Sequence, residues 1–435
     1  MPRHVLRLSG FMILGFLAMT IAQLVEAVYL GMVGTRELAA VAFAFPVVMA
    51  FGAATRGIGV GAGAVLARAA GAGDRARMSR LTSHALALVL AFNLACAAAL
   101  IAGSRPLFAL LGAEGEILDL VTSYIAIWAM GFPAFGLSMV GTGLMRSLGD
   151  PAFPGVVMTT GSVLQILIGP FLIFGWLGLP AMGLEGAAWT FVAARGASFV
   201  LALYWFLIRE RVLRLSSKDF LDSARAILHV GIPAMATNLI GPLSTAIVTR
   251  LLAGLGVAVV AGFGIASRIE AVVSMVVIGI ASSAGPLVGQ NWGARLYDRV
   301  WAALRLCYRY CLIWSAIAAC IMWVGGAFFV SLVNDEEAVV ATATAFLYIV
   351  PISIGFMGML NVSNGAFNAL SKPWPPLVLS ILRLTVFYIP LALVARHYFG
   401  YVGVFAAIAV TDIALGLWGR EWNRRTLRRE QAAAA

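Results

Sequence analysis

Continuous apolar stretches divide this chain from one end to the other, and they settle what it can fold into. They fall at 8–30, 38–67, 84–103, 118–145, 154–177, 186–208, 226–252, 257–289, 306–333, 339–370, 376–395 and 402–418, each bounded by charged or Gly/Pro-rich breaks. About 20 apolar residues in helical form cross the roughly 30 Å hydrocarbon core of a bilayer. The expectation is therefore an all-α polytopic membrane protein with twelve transmembrane helices. A transmembrane barrel is excluded, because its strands alternate apolar and polar residues over about 10 positions, whereas these runs are continuous. Several are longer than the bilayer requires and must tilt, kink or project. The charged fraction of 11% agrees with this class, since soluble domains carry about 25%.

The second constraint is internal repetition. Sliding Val41 under Phe263 without gaps superposes Ala44 on Ala266, Gly57 on Gly279, Ile58 on Ile280, Ala62 on Ala284, Gly63 on Gly285 and Gly71 on Gly293. The same offset puts Gly34 on Gly256, Gly143 on Gly365, Leu148 on Leu370, Pro151 on Pro373 and Pro154 on Pro376. Two six-helix halves are thus related almost end to end, and such self-similarity fixes the architecture. An even number of spans per copy makes both enter the membrane in the same sense, a parallel repeat around an axis along the membrane normal. The expected layout is an N-lobe at 1–208, a charged linker at 209–225, and a C-lobe at 226–435, with a central cleft between the lobes. The linker, RERVLRLSSKDFLDSAR, reads as an amphipathic cytoplasmic connection or simply as a solvated segment that fixes topology.

Net charge is +11 and the pI about 10.0. In a soluble protein this would point to nucleic acid; here the basic residues concentrate in short connections between spans, where they orient the chain, and no nucleic-acid partner is expected. Most of the 30 Lys and Arg residues fall on one side, in groups such as Arg3 and Arg7, Arg75 to Arg80, Arg209 to Arg225, Arg295 to Arg309 and Arg420 to Arg429. The other side has Arg36, Arg105, Arg396 and the acidic loop from Asn334 to Glu337. Both termini are expected in the cytoplasm. Cys96, Cys307, Cys311 and Cys320 have no metal-ligand spacing and read as buried thiols. The basic start and long first run lack a small-residue cleavage pattern, so that run is expected to be the first span and not a cleaved signal.

Charged residues at membrane depth are costly and point to function by default. They are Glu26, Arg56, Arg195, Arg250, Arg268, Glu270, Arg383 and Asp412. Glu26 has no basic residue within four positions to neutralise it along its helix. It must hold a proton or find a partner on another helix, either as a titrating group or as a packing contact. Arg268 and Glu270 are two residues apart, on different helix faces, and therefore reach different neighbours. They form either a structural ion pair with another residue or a cleft-lining set, with Arg383 as one partner to consider. Arg56, Arg195, Arg250 and Arg383 read as cleft-lining residues or ties between lobes, and Asp412 as a helix-end or packing carboxylate.

Asn361, Asn364 and Asn368 share one face of the tenth span by their i, i+3, i+7 spacing. A polar stripe in lipid faces a cleft or hydrogen-bonds a neighbouring helix. Pro133 and Pro351 sit at similar depth in the fourth and tenth spans and are hinge candidates or static kinks. The glycine-rich Gly57 to Gly63 lies within a span and lacks the Lys and Ser/Thr of a phosphate loop, so direct use of ATP is not expected.

These residues resemble the multidrug and toxic compound extrusion (MATE) family along nearly the whole chain. The specific pieces are E-A-V-Y-L-G-M-V-G at 26–34 with the following L-A-A-V-A, A-S-R-I-E at 266–270, G-Q-N-W-G-A at 289–294, and L-G-D-P at 148–151. A-S-R-I-E and G-Q-N are similar to the DNA-damage-inducible branch. The resemblance implies twelve helices in two lobes that rock about a cleft, exporting amphipathic, often cationic molecules against inward protons or sodium. The family's first-helix acid is usually Asp; here it is Glu26. Proton-coupled members carry an Asn and an Asp in the fifth helix, whose positions are matched here by Gln165 and Gly169, leaving one carboxylate in place of two. Thr142 and Thr190 lie near other polar positions of that site. Sodium-binding members use a seventh-helix Glu and a tenth-helix Asp, and this chain has neither.

The functional expectation is a secondary antiporter of the cytoplasmic membrane, proton-coupled in preference to sodium. It would need no cofactor, have amphipathic small molecules, protons and membrane lipids as partners, work as a monomer, and have no enzymatic activity or metal site. Glu26, Gln165, Thr142 and Thr190 would couple ion to transport; Arg56, Arg195, Arg268, Glu270, Asn361, Asn364, Asn368 and Arg383 would line the cleft or link the lobes. Two alternatives stand beside it: a flippase of the same superfamily that grips a lipid-linked pyrophosphate with its arginines, and a membrane scaffold or sensor that transports nothing.

Overall fold

In the computed structural model the chain is helical, with no strand among the described residues, which are 2–214, 216, 218–332 and 335–434, with side chains described from 9 to 433. Asn334, in the acidic loop, and the side chains of Arg3 and Arg7 lie outside them. In order, the helices are α1 Pro2–Val33, α2 Thr35–Gly71, α3 Arg75–Leu110, α4 Gly115–Leu148, α5 Phe153–Ile173, α6 Gly183–Tyr204, α7 Phe220–Ala253, α8 Val257–Gly293, α9 Tyr297–Ser331, α10 Glu337–Ile349, α11 Pro351–Ala369, α12 Trp374–Leu382 and α13 Ile389–Ala434. π-helical turns at Trp205–Arg209 and Arg383–Tyr388 continue α6 and α12.

The twelve expected spans are all present, the tenth and eleventh with irregularities that the apolar runs do not mark. The tenth is α10 and α11, bent by 50° where Pro351 begins the second piece; proline lacks the N–H of the helical ladder and its ring crowds the preceding turn. The eleventh runs through α12, a π turn and the start of α13. The twelfth follows Gly400, whose backbone (φ 60°, ψ −137°) interrupts α13 in a region that glycine enters without steric penalty. Pro133, by contrast, lies inside an uninterrupted α4. At 37 residues α2 and α8 extend about 55 Å, so they tilt or project from the bilayer. Of the cysteines, Cys96, Cys307 and Cys311 are buried thiols, but Cys320 is exposed on α9, because it falls on the outward face of that helix.

The chain forms two compact units, Leu14–Met235 and Met1–Ile13 with Ala236–Ala435. Their bounds differ from those of the repeat. The first turns of α1 belong with the second half and the first turns of α7 with the first half, and glycines explain why. On α2, a Cβ at Gly61 would collide with the Ile227 carbonyl, and one at Gly57 would meet Met235, so α7 crosses α2 at backbone distance. The equivalent positions on α8 do the same for α1: Gly279 is pressed by Ile13, and Ser283 faces Ser9 with their hydroxyls 3.4 Å apart. Small residues permit such close crossings where lipid supplies no hydrophobic drive.

Within the first unit α4 is the central helix, packed on α2, α3 and α6. Its buried Trp128 stacks on Phe132 and on Phe191 of α6. Thr55 of α2 donates to Asn93 Oδ1 of α3 at 2.7 Å, and Gly136 of α4 lies against the same asparagine. In the second unit α11 is central, packed on α8, α9 and α13. Gly358, which the repeat superposes on Gly136, is likewise pressed against the third helix of its half, at Cys311.

The linker's described residues run irregularly before α7 begins at Phe220. Residues 210–214 are irregular and held by α3: Ser79 Oγ donates to Val212 O (2.8 Å), Arg214 N–H to Ser83 Oγ (3.0 Å), and the buried His84 ring bonds Ser216 O (2.7 Å) and Ser223 Oγ (2.9 Å). At the end of α4, Gly149 is left-handed (φ 101°) and closes the helix. Asp150 then accepts from the N–H groups of Ala152 (2.9 Å) and Phe153 (3.0 Å) and the Trp205 indole (3.0 Å), with Arg209 at 3.5 Å. Burial pushes this carboxyl up, and the four donors together outweigh it, holding Asp150 below the usual carboxylate range.

Two outcomes are expected. Gly61→Val forces α7 off α2 and lowers stability by about 1–3 kcal/mol, read as a drop in the melting temperature of purified protein in detergent; an unchanged melting temperature would contradict the close crossing. Asp150 contributes stability that is fully present above about pH 4 and is lost as pH falls through its lowered folded value. Asp150→Asn therefore costs about 1–2 kcal/mol at pH 7, and its melting curve converges on that of the wild type in acid.

Candidate functional site

Five of the eight charged residues at membrane depth gather into two clusters, one in each unit. In the unit Leu14–Met235 the cluster is built on one face of α5, where Gly161, Gln165 and Gly169 follow at successive turns. Gln165 Nε2 donates to Glu26 Oε2 of α1 at 2.5 Å, and Gln165 Oε1 accepts from Arg195 Nη2 of α6 at 2.9 Å. The amide is therefore a bridge between carboxylate and guanidinium, which form no direct ion pair. The glycines make the room. A Cβ at Gly161 would collide with Ser198 Oγ and lie 3.4 Å from Arg195 Nη1; one at Gly169 would lie 3.0 Å from the Tyr29 ring. Tyr29 itself donates to Ile166 O at 3.3 Å. An acidic side chain at position 169, which the family resemblance associates with the fifth helix, would displace that ring.

Arg195 is 8% exposed and lies over the faces of Phe135 and Phe191, at 5.7 and 5.4 Å from the ring centroids. Cation–π contacts of this kind strengthen when desolvated. Its Nε is buried with no hydrogen-bond partner among the described residues. Of the four residues expected to couple ion to transport, Glu26 and Gln165 are in contact. Thr142 and Thr190 are buried and donate to carbonyls of their own helices, Met139 O at 2.7 Å and Gly186 O at 2.8 Å. Arg195, grouped in the sequence with cleft or inter-lobe residues, completes the Glu26 cluster.

The second cluster joins Arg383, Asp412 and Glu270. Asp412 of α13 is 2% exposed and accepts from Arg383 Nε and Nη2, both at 2.8 Å. Arg383 opens the π turn Arg383–Tyr388; such an insertion rotates the following side chains relative to an α-helix, and π turns are frequent at functional sites. Glu270 of α8 accepts from Ser274 Oγ at 3.1 Å and lies within electrostatic range of Asp412 and Arg383. Asp412 is thus no helix-end carboxylate but half of a buried ion pair. Its signal in the sequence is charge balance: an acid inside an apolar span needs a cation, and Arg383 stands in the preceding span.

Arg268, Arg56 and Arg250 are exposed on α8, α2 and α7 and make no ion pair among the described residues. Asn361, Asn364 and Asn368 remain on one side of α11, partly buried, with Asn364 Oδ1 and Asn368 Oδ1 lacking hydrogen-bond partners among the described residues. They do not join the Arg383 cluster. No group of three or more His, Cys, Asp or Glu side chains among the described residues is arranged to hold a metal.

Comparison with known proteins follows the same division. The MatE family model matches residues 12–171 and again 233–394, the two copies of the internal repeat. A FAD transporter of Shewanella oneidensis is 30% identical over 426 residues, 95% of this chain and 92% of that protein. A probable multidrug resistance protein NorM of Deinococcus radiodurans is 30% identical over 393 residues, 88% of this chain and 86% of that protein. In structure, the Vibrio cholerae MATE transporter VcmN in its bent form superposes with a TM-score of 0.92 at 27% identity, covering 99% of this chain and 98% of its own.

The ion pair allows a direct measurement. Arg383→Gln or Asp412→Asn alone strands a buried charge and is expected to destabilise by about 3–5 kcal/mol, whereas the double variant recovers much of the loss. Thermal unfolding of the three variants in detergent reads the coupling; additive losses would contradict the pairing.

Proposed function

Given that the chain belongs to the multidrug and toxic compound extrusion family, we propose that it is a secondary antiporter of the inner membrane that expels small molecules in exchange for protons, with Glu26 as the proton-carrying group. The observation that carries this reading is the bridge Glu26–Gln165–Arg195. A carboxylate at membrane depth is held by a neutral amide, with the nearest cation one residue further on. Such a group can accept a proton without breaking an ion pair. When it does, Gln165 loses its charged acceptor and Arg195 its counter-charge, so the packing of α1, α5 and α6 prefers a different arrangement in each protonation state. Coupling needs only that proton and substrate favour opposite arrangements of the two repeats. An inward proton contributes about 2.3 kcal/mol per 100 mV of membrane potential. Both termini face the cytoplasm in this reading, by the distribution of Lys and Arg.

For the substrate, amphipathic cations are the family-level reading. A second, an anionic flavin dinucleotide, is favoured by the relative named as a FAD transporter and by the arginines left without a carboxylate, Arg56 on α2 and Arg268 on α8. The lipid-linked pyrophosphate reading loses support, because Arg195 and Arg383 are each engaged within their own unit by Gln165 and Asp412.

The deciding experiment is efflux from proteoliposomes under an imposed pH gradient and then a sodium gradient, with ethidium and FAD as parallel cargoes, for wild type and Glu26→Gln. Proton-driven movement lost in the variant is the expected result. Movement under sodium alone, or an unaltered variant, would remove Glu26 and the proton from the mechanism; the cargo that moves decides between the two substrate classes.

A further inference from the structure

A cavity of about 660 Å³ opens between the start of α9 and the end of α13, away from both charged clusters. Its wall carries Trp301 and Arg305 on α9, and Arg420, Arg424 and Arg428 on α13, with Asp298 at its edge as the one acid of the lining. Residues 420, 424 and 428 follow at the spacing of one helix face. Arg424 is tied to Glu421 at 2.8 Å, whereas Arg305, Arg420 and Arg428 make no ion pair among the described residues.

The pocket is fixed and does not depend on a loose tail. Leu427 is 1% exposed and belongs to the core of the second unit. Asn423, 1% exposed, donates to Ser363 O at 3.3 Å, and the Tyr308 hydroxyl at the base of the pocket is 2.9 Å from Ser363 Oγ. Trp301 Nε1 donates to Gln431 Oε1 at 3.2 Å across the two helices, and Lys372 pairs with Glu430 at 2.9 Å. The fold therefore fixes the helix faces that carry these exposed arginines around a concave surface.

The position along the helices identifies the ligand class. Residues 298–305 precede the apolar run at 306–333, and 420–431 follow the run at 402–418. Both walls of the cavity are therefore where their helices leave the hydrocarbon, the depth of phosphate headgroups, with Trp301 and Tyr308 as the interfacial aromatics. Basic pockets between spans at this depth suit acidic headgroups. We infer that this cavity binds the phosphate of an acidic phospholipid, the guanidinium groups of Arg305, Arg420 and Arg428 supplying the donors. Guanidinium offers paired donors that match phosphate oxygens.

Native mass spectrometry of the full chain in detergent tests this, with phosphatidylglycerol, phosphatidylcholine and inorganic phosphate added separately and in competition. Phosphatidylglycerol is expected to be retained on the order of tenfold more tightly than phosphatidylcholine, and the preference is expected to vanish in the double variant Arg420→Gln/Arg428→Gln. Arg425→Gln/Arg429→Gln removes the same charge from a neighbouring face of α13 and is expected to keep the preference, which separates a site from general attraction. Loss of the preference in both double variants, or in neither, overturns the inference. So does displacement of the lipid by inorganic phosphate at equal concentration, which would make the ligand a soluble phosphate; equal elution of the variants on size exclusion establishes that the folds compared are the same.

Discussion

Hydrocarbon gives a charge nothing to lean on, and each depth-buried charge in this protein is answered by a local partner or left at an exposed helix face. Glu26 is answered by an amide, Asp412 by a guanidinium, and Arg195 by an amide oxygen and two aromatic rings. The difference among these answers matters. In a direct ion pair such as Arg383–Asp412, removing either partner leaves the other uncompensated. An amide-bridged carboxylate such as Glu26, by contrast, has no cation in direct contact. The two units thus answer their buried charges differently, one through an amide bridge and the other through a direct ion pair.

The asymmetry has a local origin. α5 supplies Gly161, Gln165 and Gly169 to its partners, while the matching region of the second half supplies Arg383 and a π turn. The repeat preserves the glycine contacts that set helix crossings, as at Gly136 and Gly358 or Gly57 and Gly279, but not the polar residues. Packing positions constrain the backbone and tolerate little; the polar positions have diverged into separate tasks.

Much of this is legible in the residues. Spans and repeat follow from apolar run length and gapless self-similarity, because lipid imposes a length on helices and the repeat keeps glycines in register; the family enters only through the resemblance of particular motifs. Glu26 stands out as an acid without a neighbour along its helix, and Gln165 enters through the family resemblance. The contact of Gln165 with Arg195 is not legible, since pairing between α5 and α6 depends on helix rotation, which glycine faces decide. Asp412 reads in the sequence as a packing residue because its partner sits across a π turn, and a π turn has no sequence signature as plain as proline or glycine. The break at Gly400 falls in the gap between two apolar runs, whereas the bend at Pro351 leaves its proline in view but lies within one continuous run, which joins across it. The exchange of first turns between α1 and α7 is hidden for another reason: repetition reveals which segments are equivalent, not which copy they pack against.

That exchange bears on how the chain came to be one chain. Each half leaves the Gly57 or Gly279 face of its second helix to be covered by the opening turns of the other half's first helix. An ancestor with a single copy of the repeat would have had that face bare, unless two polypeptides traded their amino-terminal turns as a swapped pair. Either half taken alone would leave one face of its second helix uncovered, so each is closed only by the other's opening turns.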